Sequence, residues 1–277
     1  MKKCMKLMKQ YPMAAISALI LIVVTFLVVF APVIAPYDPA ETDLLNTCAG
    51  SSKEHLLGTD MQGRDIFSRI LYGGRIAMLS PLCVVAISLF IGVPLGFITG
   101  FFGGKIDNII MRICDVILSF PAILLALISV SIFGRGIRNT IIVLGFFYIP
   151  FMARMIRATV MVQKEESYVE ACYALGYSKL KIMVKHLLPN CISTIIVQAT
   201  LCLGYSMLDL AGMSYLGLGV QAPTADWGSM LAEGKSIVTI SPNMVIYSGF
   251  AIMLVVVCFN LLGDGLDSYF DPKRKKV

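Results

Sequence analysis

The chain has 277 residues and a formal net charge of +6; 57% of its residues are hydrophobic and 14% charged, with a mean hydropathy of +0.81. A water-soluble globule of this composition could not hide its apolar surface, so an all-α polytopic membrane protein is expected. The basic residues flank hydrophobic segments and are not interleaved with stacking aromatics, which argues against a nucleic-acid partner.

Six membrane spans are predicted, at roughly Met13–Val33, Leu79–Phe102, Arg112–Phe133, Thr140–Ala158, Cys191–Met213 and Val245–Leu262. The first apolar stretch, Met13 to Ala35, would rise about 34 Å as a helix, enough to cross a bilayer core. It is too long for a signal-peptide core and lacks a small-residue cleavage site, so it is read as a retained helix. The expected organisation is a tail, first span and external amphipathic segment in 1–78, a five-helix transmembrane domain in 79–264 with an internal loop at 159–190, and a basic tail in 265–277.

Flanking charge sets the direction. Lys2, Lys3, Lys6 and Lys9 precede the first span, and Lys273, Arg274, Lys275 and Lys276 follow the last. Both termini are therefore expected in the cytoplasm by the positive-inside rule. Internal segments hold Lys105, Lys164, Lys179, Lys181 and Lys185, whereas the first external segment carries Asp38, Glu41, Asp43, Glu54, Asp60 and Asp65. Arg135 and Arg138 dissent, in an external turn.

Pro94, Pro121 and Pro150 within the spans point to kinked, bundle-facing helices, since membrane helices tolerate Pro where neighbours re-satisfy the freed carbonyl. Gly92, Gly96 and Gly100 share one face of span two, which suits close helix contact or, alternatively, a channel lining. Arg112 and Asp115, one turn apart, are expected to pair. The eight cysteines show no CxxC pair and only two histidines accompany them, so neither a disulfide framework nor a metal site is indicated; most are expected to act as small hydrophobes.

The internal loop carries the strongest functional pattern. Glu165 to Ala174 has neither Gly nor Pro, and Val169, Cys172 and Tyr173 would form one apolar face of a short helix. Gly176 breaks it. Ser178 is a plausible N-cap for a second helix that runs through Leu180, Met183, Val184 and Leu187 to Pro189. A docking knob and an amphipathic hairpin on the lipid surface, favoured by Lys179, Lys181 and Lys185, both fit this pattern.

Glu170-Ala171-Cys172, Gly176 and Leu188-Pro189 resemble the coupling-loop motif of permease subunits in binding-protein-dependent ABC importers, with Cys172 where the family has a second Ala. Further stretches are similar to the second permease subunit of the dipeptide, oligopeptide and nickel branch. They are His55 to Arg69 with Tyr72 to Arg75, Arg112 to Pro121, Ser214 to Pro223, Asp226 to Gly234, Asn260 to Asp267 and Asp271-Pro272. The resemblance covers nearly the whole chain. It implies that Glu170, Ala171, Cys172, Gly176, Leu188 and Pro189 couple the bundle to ATP hydrolysis elsewhere. The implied partners are a second homologous permease, two cytoplasmic ATPase subunits and an extracytoplasmic solute-binding protein in a bacterial or archaeal inner membrane. The family that the chain resembles often places a Glu where this chain has Leu210, so no role is carried over to that position.

In physical terms, Gly58-Thr59-Asp60 and Gly63-Arg64-Asp65 are turn and cap chemistry, suited to a structural collar. Asp209 is a carboxylate late in span five with no basic residue near it in sequence. It is expected to face the translocation path or the paired subunit and attract a cationic group of the substrate, or else to sit in headgroup water. No catalytic constellation forms around His55 or His186, and the chain has no phosphate-binding loop of its own, so a non-enzymatic permease without cofactors is expected. An ion-coupled secondary transporter is the rival class, disfavoured by the absence of an internal repeat and of coupling charges. Di- or oligopeptides are the expected cargo, with nickel or a metal chelate as the alternative.

Overall fold

The computed structural model describes residues 11–270. The terminal basic clusters, Cys4 and Asp271-Pro272 lie outside the described residues. The chain is helical, and the described residues contain a single isolated β-bridge, Thr59 to Asp65.

Helix α1 is Pro12–Val29, its Pro at the first turn where no backbone N–H is missed; a short α2, Ala31–Ile34, continues it. Helix α3 is Ile66–Phe102, 37 residues with Pro81 and Pro94 inside. At 1.5 Å per residue it is about 55 Å long, far more than a bilayer core needs. The expected boundary at 78/79 therefore falls inside one continuous helix. Gly103 and Gly104, both at positive φ (62° and 58°), end α3 in a conformation that other residues rarely adopt.

Span three differs most from expectation. It consists of α4, Gly104–Leu118, and α5, Ala122–Phe133, bent by 83° at the intervening break. Pro121 cannot donate a helical hydrogen bond and pushes Phe120 out of the helical region. Arg112 does not pair with Asp115. Instead Asp115 bonds Arg154, and Asp107 takes a bidentate pair from Arg157 at 2.5 and 2.6 Å, because α4 lies against the helix that follows rather than standing upright as a span.

That helix, α6, is Ile137–Lys164 with Pro150 inside. Short helices α7, Ser167–Ala174, and α8, Lys179–Ile182, follow. A π-helical turn, Met183–Leu187, leads directly into α9, Leu188–Tyr215. Pro189 thus does not terminate the second loop helix. The wider turn accommodates the carbonyl that its ring would otherwise strike, so the helix runs from the loop into the bundle. Helix α10 is Trp227–Lys235 and α11 is Asn243–Phe270, eight residues longer at its C-terminal end than span six was expected to be.

Five helices are long and apolar enough to cross a membrane, and six spans result if the bent pair counts as one. Packing supports counting it. A side chain placed at Gly92, Gly96 or Gly100 would press on Met152, Ile156 or Val160 of α6 respectively, so numbers rise together along both helices. Two parallel neighbours need a return crossing between them, and α4 with α5 is the only chain available. The glycine stripe is therefore a packing seam, not a channel lining. Gly263 meets Leu201 and Gly204 meets Asn260, while Gly265 meets Ala14 and Tyr11 bonds Ser268, so α11 runs antiparallel to both α9 and α1. Tyr11 donates to the Ser268 carbonyl at 3.1 Å, which puts both described ends at the same end of the bundle. Two apolar cores result, one among α3, α6, α9 and the loop, the other around Trp227 between α1, α10 and α11.

Candidate functional site

The 165–189 segment forms a compact knob at the end of the bundle that also holds residues 11 and 270. Val169 and Cys172 are buried, whereas Tyr173 is exposed, so the apolar face of α7 is narrower than expected. After α7 the chain reverses at Gly176, φ +74°, with Tyr177 N–H closing on the Cys172 carbonyl at 3.1 Å. Ser178 caps the next helix through the Lys181 amide. Ile182 and Leu187 are buried, but Leu180 and Val184 point outward. The π turn begins at Met183, so a 3.6-residue spacing does not carry through it to Leu187.

Lysines and aromatics fix the knob against its base. Lys181 stands 3.7 Å over the Tyr177 ring, Lys179 lies over Phe102 and Lys164 over Phe101. His186 stacks on Tyr177 with centroids 5.5 Å apart. Glu170, Ala171, Gly176 and Pro189 are exposed, Leu188 is half-buried and Cys172 is inside. The six motif residues therefore divide: four form an outer surface, and Cys172 belongs to the knob's own interior along with Val169, Ile182 and Leu187. A lipid-surface hairpin would direct its apolar side outward as one stripe; here much of it turns inward onto the bundle.

Asp209 lies in α9, half-buried, and accepts a hydrogen bond from the Tyr148 hydroxyl at 2.8 Å. Tyr148, on α6, packs against Phe147 and Phe151. The sequence offered no sign of this tyrosine, 61 residues away, because only the packing of α6 on α9 brings the two together.

At the opposite end, the 55–69 segment is a collar. Asp65 caps α3 through the Ser68 amide and hydroxyl, both at 2.8 Å, and takes His55 at 3.0 Å. Asp60 pairs with Arg64 at 2.7 Å and with Arg69, and both arginines reach Glu233 of α10, at 2.6 and 2.8 Å. Trp227 donates to the Ile70 carbonyl at 2.9 Å. Asp226, buried, caps α10 through the Ser229 amide; burial pushes its carboxyl above the ordinary carboxylate range. Among the described residues no cluster of three or more His, Cys, Asp or Glu side chains could hold a metal ion.

Residues 92–276 match a family profile described as binding-protein-dependent transport system inner membrane component, and residues 4–50 match the N-terminal TM domain of oligopeptide transport permease C. The chain is 39% identical over 99% of its length, and 90% of the relative's, to the dipeptide transport system permease protein DppC of Alkalihalophilus pseudofirmus. It is 42% identical to the glutathione transport system permease proteins GsiD of Pectobacterium atrosepticum, over 95% of this chain and 86% of that one, and of Escherichia coli, over 95% and 87%. Among solved structures, the inward-facing MetNI methionine ABC transporter superposes with a TM-score of 0.59 at 20% identity, over 72% of this chain and 94% of that one. That likeness speaks for the fold.

Proposed function

The chain belongs to the family of binding-protein-dependent transport system inner membrane components, permease subunits of ABC importers, and from that premise we propose that it forms half of a pathway for di- or oligopeptides. Its knob receives motion from separate ATPase subunits. The observation that carries this reading is the knob itself: exposed Glu170, Ala171, Gly176 and Pro189 on a base that runs without a break, through the π turn, into the membrane helix α9. A push on such a knob is delivered along a helix axis rather than lost in a loop. Relatives named for dipeptide and glutathione transport favour a peptide over a metal chelate.

The knob end is assigned to the cytoplasm. Lys105, Lys164, Lys179, Lys181 and Lys185 gather there, and the acidic 36–65 segment lies at the other end. Both termini are then cytoplasmic, in a bacterial or archaeal inner membrane. A second, homologous permease completes the pathway as a heterodimer, two ATPase subunits dock at the knobs, and an extracytoplasmic solute-binding protein delivers cargo. Asp209 is assigned to the translocation path, where a carboxylate held by Tyr148 and lacking a basic neighbour attracts cationic groups.

Peptide uptake and ATP hydrolysis by the reconstituted transporter, measured together, test this. Gly176→Pro or Glu170→Lys is expected to leave the complex assembled and to cut uptake at least tenfold relative to ATP hydrolysed. Normal coupling in both variants would overturn the assignment. In the same assay, unchanged uptake by Asp209→Asn removes Asp209 from the path.

A further inference from the structure

We propose that Leu44 and Leu45 form a preorganised anchor that seats the extracytoplasmic binding protein on this permease, a role that rests on the reading above and goes beyond it. The two leucines are 75% and 95% exposed, at the tip of a turn that is far from loose. The Asp43 carboxylate accepts from the Leu45 amide at 3.0 Å and from the Asn46 side-chain amide at 2.8 Å, and the Asp43 carbonyl accepts from the Asn46 backbone at 3.1 Å. Those bonds, the Asn46 side chain first, hold the Asp43 carboxyl below its ordinary range.

The turn is tied in turn to the buried collar. Thr59 bonds the Asn46 carbonyl through its hydroxyl, which also receives the Ala49 amide at 2.8 Å, and the Cys48 amide reaches the Asp60 carbonyl at 2.9 Å. Gly63 packs so closely on the Asp43 backbone that no side chain would fit, and its φ of +74° also favours glycine. Asp60 is itself locked to Arg64 and Arg69. A rigid mount thus holds two leucines in water, where nothing in the described chain covers them.

Exposed single leucines are ordinary, but a fixed apolar pair has the properties of a binding hot spot: large apolar side chains whose ordering entropy is already lost before docking. Charge selects the occupant. Asp38, Glu41 and Asp43 precede the pair closely in sequence, and no Lys or Arg lies between Tyr37 and Ser52. Such a rim repels an anionic lipid surface and complements an apolar cleft edged with basic residues. The family is defined by dependence on a binding protein, which approaches from this side.

The test uses the full transporter in nanodiscs and the binding protein that supports its uptake. Leu45→Asp, and independently the double variant Leu44→Ala with Leu45→Ala, are expected to weaken binding-protein affinity at least tenfold. Uptake should recover at high binding-protein concentration, because the pathway is untouched. Unchanged affinity in both variants overturns the proposal. So does loss of the second permease on purification with affinity retained, which assigns the pair to that interface. Quenching of a Leu45→Trp reporter by brominated lipids before binding protein is added also overturns it, by seating the turn in the bilayer. Uptake by the unsubstituted transporter that needs no binding protein would defeat the underlying reading instead.

Discussion

Asp226 shows how one side chain can serve as a cap and still cost stability. Its carboxylate receives the Ser229 amide at 3.3 Å, yet burial outweighs the hydrogen bonds and raises its folded pKa above the reference 3.8. Below that reference value the carboxyl is protonated in both folded and unfolded chains and carries no penalty. As pH climbs above it, the unfolded chain releases its proton first, so stability falls until the folded pKa is passed. Asp226→Asn keeps an amide oxygen for the cap without the charge. The variant is expected to be more heat-stable than the parent at neutral pH and to lose that advantage towards pH 4, measured by thermal unfolding in detergent. A variant less stable at every pH would show that the ionised cap wins over desolvation. Cys172 is a second lesson at this scale. The spacing put it on an apolar face with Val169 and Tyr173 while the motif put it among the coupling residues, and it is buried in the knob. Motif membership says that a residue matters, not which way it points.

Helix existence was legible in the sequence because apolar length and flanking charge report directly on a bilayer's thickness. Helix ends were not. The N-terminal turns of α3 and the last two turns of α11 lie beyond the apolar run, and they are held by tertiary contacts such as the Trp227 bond to Ile70 and the Tyr11 bond to Ser268. A kink at Pro121 was legible, but its size, 83°, was not, since Asp107 and Asp115 find Arg157 and Arg154 only once α6 is in place. Over Asp107 to Asp115, about 12 Å of α4, those partners step back by only three residues of α6, from Arg157 to Arg154, so α4 climbs slowly along the bundle edge and α5 makes the rest of the crossing. The glycine seam between α3 and α6 was visible as a four-residue spacing, and its consequence can be measured. A Cβ at Gly96 would approach the Ala153 carbonyl and the Ile156 Cβ at 2.7 Å each, a backbone contact that no rotamer change relieves. Gly96→Leu is expected to separate the helices and abolish folded yield by size-exclusion profile. Gly134→Ala, at a turn with open space around it but with φ 82° and ψ 170°, should cost about 1–3 kcal/mol of backbone strain without abolishing folding. Equal yields for Gly96→Leu and the parent would mean that the seam is not close-packed.

Across the molecule, the two ends are built differently: one carries an exposed knob continuous with α9, the other a collar that staples the 55–69 segment to α10, a separation of 164 residues in sequence. The collar's turn residues were readable beforehand, but Glu233 was not, because nothing local marks the carboxylate that will meet two distant arginines. Two arginines and two carboxylates balance, so the cluster is neutral as a whole and asymmetric in its parts. The Arg69 side chain is fully buried, and that of Glu233 is 32% exposed. Removing one member of a buried ion cluster leaves an uncompensated charge, typically costing about 3–5 kcal/mol. Arg69→Ala, which leaves Arg64 alone to balance Asp60 and Glu233, should therefore be the most damaging change. Arg69→Lys should fall between, since a point charge cannot reach Asp60 and both Glu233 oxygens as a planar guanidinium does. Glu233→Gln should be mildest, because water reaches that carboxylate and the arginines keep Asp60. Thermal unfolding of the three variants in one detergent gives the order directly. If Glu233→Gln unfolds as early as Arg69→Ala, the cluster acts through Glu233 rather than Asp60, and the collar would be anchored on α10 instead of on α3.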